Sequence, residues 1–330
     1  MKDQYDISII IPMYKVQDFI VETLESLVNQ SLQCKIECIL IDDCGNDNSV
    51  SLATQFVDDY DGSIDFRIIH HKENRGLSGV RNTGIIHAKG LYLFFLDGDD
   101  KLFPDSLYKL WQLVILYPNV DLIKGDFVVE GISNSILNKS FPSYTDDTIW
   151  IRKNMCNLSI PESACNCLVQ RKLIIDNHLF FKEGWIQEDT LWTFKIQRHL
   201  RSIAFCFEPT YFYRTNQNGI MHTMDKEKEA KVYALIYNEV YNDMHANKIE
   251  RFELRYLEII AERIYNAMGK KGWDNLDTSN NPIFCFLFIS NQYLCQRKNR
   301  FLCVFLRLCR SLFRSILCNR MFFCLNSHNS

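Results

Sequence analysis

A chain of 330 residues with 47% hydrophobic and 23% charged content can bury at least one full core, which excludes disordered and collagen-like classes. Its formal net charge of -3 gives no general attraction to nucleic acid, so no nucleic-acid partner is expected and any basic surface must come from local clustering. The 13 cysteines include no CxxC pair, and they read as reduced thiols, mostly in the core, rather than as zinc ligands or a disulfide framework.

The chain opens MKDQYDISIIIPMY, an apolar run too short for a signal segment and interrupted by Pro12 and Lys15, so a cytosolic location is expected. The β-branched run at 7–11 predicts a strand ending at Pro12, followed by a helix through Phe19, Ile20, Leu24, Leu27 and Val28. Residues 36–41 predict the next strand, ending in Asp42 and Asp43, and 50–60 the next helix. A strand at 66–69, a helix at 77–88 and a strand at 91–96 complete the series, the last running into Asp97, Gly98, Asp99 and Asp100. This alternation predicts an α/β fold, a doubly wound and mostly parallel sheet with helices on both faces. In such sheets the ligand lies beyond the carboxyl ends of the strands, where these polar residues fall.

After Pro104 the pattern predicts a helix to about 117, a strand at 120–124 and a mixed region to about 213. Residues 225–268 read as charged helix and 272–282 as a turn-rich linker. The tail from Phe284 to Ser330 has no Asp or Glu but carries Arg297, Lys298, Arg300, Arg307, Arg310, Arg314 and Arg320 among Phe, Leu and Cys. Helical spacing of Arg307, Arg310 and Arg314 predicts a basic amphipathic helix on an anionic membrane surface. The alternative is a helix docked on the catalytic domain or on a partner in a homodimer. No uncharged run reaches the roughly 20 residues needed to cross a bilayer.

A leaving nucleoside diphosphate gathers negative charge, and a carboxylate cluster at a strand end can hold the divalent cation that stabilises it. Asp97, Asp99 and Asp100 form such a cluster, with oxygen ligands suited to Mn²⁺ or Mg²⁺. By itself, Asp-Gly-Asp-Asp is more often a solvated turn or half of a calcium loop. Glu188 and Asp189 precede an apolar stretch, which alone reads as a helix N-cap.

The stretch ISIIIPMYKVQDFIVETLESLVNQS, then IECILIDDCGNDNS, then ENRGLSGVRNTGIIHAKGLYLFFLDGDD, then GWIQEDTLW, resembles family 2 of the glycosyltransferases, which has the GT-A fold. The resemblance implies a surface-polysaccharide type of enzyme that takes a nucleotide sugar, with UDP the expected carrier, to a glycan or lipid-linked acceptor at the inner face of the cytoplasmic membrane. It implies that Pro12, Met13 and Tyr14 line the base pocket, that Asp43 hydrogen-bonds the base, and that Gly76, Leu77 and Ser78 pass the nucleotide. Arg81 and Asn82 would face the ribose and diphosphate, and Asp97 and Asp99 would be the DXD carboxylates, Asp99 on the metal. Asp189 would be the base, oriented by Glu188, in an inverting single displacement. YFYRTNQNGIMH resembles a later family stretch, in which Arg214 would neutralise phosphate and His222 would complete the metal shell.

Each role has a plainer alternative: Tyr14 covering the sheet edge, Arg81 in a surface ion pair, Gly76 serving only a turn, His222 on a surface loop. The chain departs from the family pattern at Lys15, where Asn is common, at Cys44 and Gly45, where Gly and Ser are commoner, and at Gly98, where Ser is common. The resulting organisation is a GT-A catalytic domain over 1–223, its nucleotide-sugar half about 1–103 and its acceptor half about 104–223. A helical extension and linker over 224–282 and the basic tail over 283–330 follow. A nucleotide-sugar-binding protein without turnover is the alternative to an enzyme.

Overall fold

The computed structural model describes residues 5–132, 135–217, 219–247 and 250–268, without the side chains of 221, 222, 245, 265 and 268. The linker at 272–282, the basic tail at 283–330 and the His222 side chain therefore lie outside the described residues. In chain order the elements are β1 (Tyr5–Met13), α1 (Ile20–Val28), β2 (Ile36–Asp42), α2 (Ser49–Asp58), β3 (Asp65–His70), α3 (Gly76–His87) and β4 (Gly90–Phe95). There follow β5 (Lys101–Leu102), α4 (Ser106–Leu116), β6 (Leu122–Val129), β7 (Tyr144–Thr145), α5 (Thr148–Cys156), β8 (Cys167–Gln170), α6 (Arg171–Asp176), α7 (Glu188–Ile196) and β9 (Ile203–Tyr213). Then come α8 (Ile220–Thr223), α9 (Lys226–Ala246) and α10 (Glu253–Met268).

Among the described residues the sheet has nine strands, in the order β3-β2-β1-β4-β8-β6-β9-β5, with β7 paired to β9. The first four run parallel, as the alternating pattern requires. Ile7, Ile9, Ile10 and Ile11 of the central β1 are fully buried, the continuous apolar run expected of a strand covered on both faces. β1 passes through Pro12 to Met13 instead of ending before the proline. The Pro12 carbonyl faces the β4 side, against Gly98, and β4 pairing stops at Ile10 with Phe95. No partner awaits the missing Pro12 N–H there.

Beyond β4 the sheet becomes mixed. β8 lies antiparallel between β4 and β6, while β9 runs parallel to β6 with register shifts at Gly125/Asp126 and Asp126/Phe127. Strand alternation in 120–213 is interrupted by loops and short helices, which is why its order was not readable from periodicity.

The chain divides into two compact units, one of Met1–Met155 with Ser159–His222, the other of Cys156–Leu158 with the residues from Thr223 on. In the second unit α9 packs on α10, with Ile236, Tyr237, Val240, Leu257 and Ile260 buried and Asp225 capping α9 through the Lys228 N–H. Among the described residues, no helix is long and apolar enough to cross a membrane.

α3 lies close on β1 because it carries glycine at the contact. A Cβ at Gly84 would stand 2.4 Å from Ile10 Cγ2. Gly84→Ala is expected to destabilise the protein by about 1–3 kcal/mol through overpacking, read as a lower midpoint in urea unfolding; an unchanged midpoint would mean the helix shifts freely.

Candidate active site

The ends of β1, β2, β4 and β9 and the starts of α3 and α7 build the site. After β2, the carboxylate of Asp43, 1% exposed, holds the start of α3: Oδ1 accepts the Arg75 N–H at 2.8 Å and Oδ2 the Gly76 N–H at 2.9 Å. This satisfies helix donors that have no partner within the helix. His71 bridges onward, with Nδ1 2.7 Å from Asp43 Oδ1 and Nε2 2.9 Å from Thr83 Oγ1. Gly76 has φ +69, a left-handed backbone that favours glycine. Asp43 thus fastens the start of α3, and its Oδ2, which among the described residues accepts the Gly76 N–H alone, keeps capacity for a second donor.

The loop after β4 carries the acidic cluster. A Cβ at Gly98 would lie 2.4 Å from the Pro12 carbonyl oxygen, so glycine lets this loop lie directly on β1, and a side chain here would require the loop to shift. Tyr211 Oη donates to Asp100 Oδ2 at 2.8 Å and accepts the Asp97 N–H at 3.1 Å. The Arg214 N–H donates to Asp100 Oδ1 at 2.8 Å, and Asn216 Nδ2 donates to Asp99 Oδ2 at 2.9 Å. The end of β9 and the chain after it are thus tied to the acidic loop. Burial, then the neighbouring charge of Asp97, pushes the Asp99 carboxyl up, and burial with the charges of Asp97 and Asp99 pushes Asp100 up to about 8.

The acidic loop meets α7 through Arg81 of α3. The Arg81 side chain is 2% exposed; Nη1 donates to Glu188 Oε1 at 2.7 Å and Asp189 Oδ1 at 2.8 Å, and Nη2 to Asp97 Oδ1 at 3.3 Å. Its guanidinium lies 5.8 Å from the Phe95 ring centroid and 5.3 Å from that of Phe181. Burial pulls the Arg81 pKa down, but the charges around it, Asp189 foremost, outweigh that and raise it well above its ordinary value. The Cys165 thiol donates to Asp97 Oδ2 at 3.2 Å and accepts from Arg81 Nη2 at 3.4 Å. Burial pushes Glu188 up to about 7 against the opposing charge of Arg81. Gln187, at φ 60, places Glu188 and Asp189 in the first turn of α7.

The remaining expected residues fall as follows. Tyr14 is 43% exposed at the end of β1, and Pro12 is partly buried beside Gly98. Met13 is 1% exposed and belongs to the core, a correction that follows from strand alternation: it points opposite to Tyr14. Leu77 is half-buried on α3. Asn82 straps α3 to the Phe181 backbone: Oδ1 accepts the Phe181 N–H at 2.8 Å, and Nδ2 donates to the Phe181 carbonyl at 2.9 Å. Arg81 is buried, not in a surface ion pair. The Arg214 guanidinium donates from Nη2 to Glu22 at 2.6 Å and lies 4.9 Å from the Phe19 ring centroid.

Asp97 and Asp99 remain partly accessible, and burial of Asp99 next to the charge of Asp97 raises it, the electrostatics of a place for a cation. Among the described residues, no group of three or more His, Cys, Asp or Glu side chains is arranged to hold a metal by itself. Cys165, Tyr211, His71 and Glu22 were missed from sequence. Only Tyr211 carried a signal, lying in the YFYR stretch next to Arg214.

Residues 8–158 match the family model described as glycosyl transferase family 2. The uncharacterized glycosyltransferase EpsJ of Bacillus subtilis is 47% identical over 227 residues, 65% of this chain and 62% of that protein. The poly(ribitol-phosphate) beta-N-acetylglucosaminyltransferase TarP of Staphylococcus aureus is 27% identical over 248 residues, covering 74% of this chain and 73% of its own. The crystal structure of S. aureus TarS 1-349 in complex with UDP-GlcNAc has a TM-score of 0.63 at 21% identity, covering 87% of this chain and 80% of that one. That last likeness is one of fold.

Two outcomes follow from the buried cluster. Arg81→Met leaves three carboxylates without their cation and should cost about 3–5 kcal/mol in urea unfolding at about pH 8, partly recovered at about pH 5. An equal loss at both pH values would contradict the cluster. For Glu188, the folded pKa of about 7 lies above its ordinary value of 4.5, so the folded protein keeps a proton that the unfolded chain releases. Its contribution is therefore favourable at the acid end, is lost as pH rises through that window, and is constant above it. Glu188→Gln should flatten the decline of melting temperature across the same window relative to the parent protein; an unchanged slope would remove Glu188 from the titration.

Proposed function

Because the chain belongs, through residues 8–158, to glycosyl transferase family 2 and is a glycosyltransferase with a GT-A-type fold, we propose a specific reaction for it. It moves a sugar from a nucleoside diphosphate, UDP being the expected carrier, to a hydroxyl of a surface glycan or lipid-linked acceptor by an inverting single displacement. The observation that carries this reading is Arg81, which gathers Asp97 from the strand-end loop and Glu188 and Asp189 from α7 into one patch. The crevice between the carboxyl ends of β1 and β4, where strand order reverses, is the place a nucleotide occupies in open α/β sheets.

Asp189 is the base. Arg81 holds its Oδ1, while Oδ2 has no hydrogen-bond partner among the described residues and the side chain is 24% exposed. A carboxylate fixed at one oxygen and open at the other can accept the acceptor hydroxyl's proton as that oxygen attacks the anomeric carbon. Glu188, buried and bonded to the same nitrogen, orients its neighbour. Asp97 and Asp99 fit a divalent cation as a partial, two-carboxylate shell. When bound, such a cation neutralises charge on the departing diphosphate.

TarS, whose crystal structure holds UDP-GlcNAc, supports UDP as the carrier, and TarP, named for poly(ribitol-phosphate), supports a polymeric surface acceptor. Action at the inner face of the membrane is supported by the basic, apolar sequence of residues 283–330.

Thermal-shift measurement against nucleoside diphosphates and nucleotide sugars, with Mn²⁺, Mg²⁺ or EDTA, identifies the donor: a ligand at a hundredfold its Kd adds about 2.7 kcal/mol of stability. With that donor, Asp189→Asn should lower transfer or donor hydrolysis by about 10²–10⁴-fold while the nucleotide shift persists. Full turnover in that variant would remove Asp189 as the base.

A further inference from the structure

The basic side chains around the site differ in what they are paired with. Arg81 is surrounded by Asp97, Glu188 and Asp189, Arg75 pairs with Glu183 at 2.6 Å, and Lys101 and Arg214 share Glu22, each at 2.6 Å. Lys15 is exposed and has no carboxylate partner among the described residues; its ammonium lies 5.2 Å from the ring centroid of Tyr14.

The Lys15 backbone is not that of a casual surface residue. It has φ 55, in the left-handed region that side chains other than glycine adopt reluctantly, and such strain persists where the surroundings impose it. The imposition is visible on both sides. Val16 N–H donates to Ser49 Oγ at 3.0 Å and Gln17 N–H to Asp47 Oδ2 at 3.1 Å, while Asn48 N–H donates to Gln17 Oε1 at 3.0 Å. A Cβ at Gly45 would stand 2.7 Å from the Lys15 nitrogen, so the loop after β2 rests directly on this peptide.

The braced turn sits at the carboxyl end of β1, in contact with the acidic loop: a Cβ at Gly98 would meet the Pro12 carbonyl oxygen at 2.4 Å and Val16 Cγ2 at 3.2 Å. The backbone that carries the Lys15 ammonium is therefore held against the acidic loop of Asp97 and Asp99. An anion with several charges entering the crevice between β1 and β4 is repelled by Asp97 and Asp99 and finds in Lys15 an uncommitted ammonium.

We propose that Lys15 is a specificity-determining residue that supplies fixed positive charge to the donor's diphosphate, so that the site prefers a nucleoside diphosphate over its nucleoside without a divalent cation. The inference rests on the reading of this crevice as a nucleotide-sugar site.

Isothermal titration of the full chain in EDTA tests it, using UDP, GDP, ADP, CDP and thymidine diphosphate with their matching nucleosides. The parent protein should bind one diphosphate about tenfold or more tighter than its nucleoside. Lys15→Met should bring the two within about threefold by weakening the diphosphate alone, and Lys15→Arg should retain the preference. Equal loss for both ligands, an undiminished preference in Lys15→Met, or binding by the parent only with Mn²⁺ would overturn the inference and leave the donor site standing. No binding of any ligand to the folded parent, with Mn²⁺ or EDTA, would overturn both.

Discussion

The arrangement depends on one buried guanidinium. Arg81 faces three carboxylates from two distant parts of the chain, with the rings of Phe95 and Phe181 beside it and its Nε buried without a partner among the described residues. In such surroundings charge interactions are weakly screened, so the cation and its carboxylates are mutually obligatory: either alone would be a costly buried charge. A planar fork with several donors is suited to this task, and a lysine's single ammonium could not reach the same set in the same geometry. The consequence is geometric. The strand-end loop after β4 and the first turn of α7 are held at a fixed separation, and the groups proposed for donor and acceptor chemistry are carried by those two segments.

The sheet prepares the meeting. Its parallel half brings the ends of β1, β2 and β4 to one edge, and its mixed half returns β8 and β9 beside β4 and β6. Tyr211 and Arg214, from the end of β9 and just beyond it, then secure Asp100. Left-handed residues mark the turns where this edge is assembled: Lys15, Cys44 and Asn46 after β1 and β2, Gly76 at the first position of α3, Asn166 before β8, and Gln187 before α7. Strain at these positions is sustained because tightly packed strands fix the chain on either side.

Two residues expected at the nucleotide also hold the scaffold together. Asp43 and Asn82 are polar residues in segments that resemble the family's nucleotide-facing stretches, yet they fasten α3 and the Phe181 backbone. Fastening of this kind cannot be told from ligand binding in a sequence, because the same side-chain oxygen serves a backbone N–H or a ligand donor equally well. Cys165 illustrates the opposite case. A lone thiol has no pattern of its own, and its contact with Asp97 exists only once β8 has docked beside β4.

By itself the sequence determined the elements and their local chemistry. Runs such as 7–11 and 36–41 can only be buried strands, the alternation with amphipathic helices dictates a parallel sheet, and Asp97–Asp100 at a strand end must lie on its ligand-binding edge. Those inferences use periodicity, which acts over a few residues. The tertiary structure alone decided which polar groups face each other. Arg81 meets Glu188 and Asp189 across separations of 107 and 108 residues, and Arg214 meets Glu22 across 192. No local pattern encodes such pairs, because a buried charge takes its partner from whatever segment the completed sheet brings within hydrogen-bond reach.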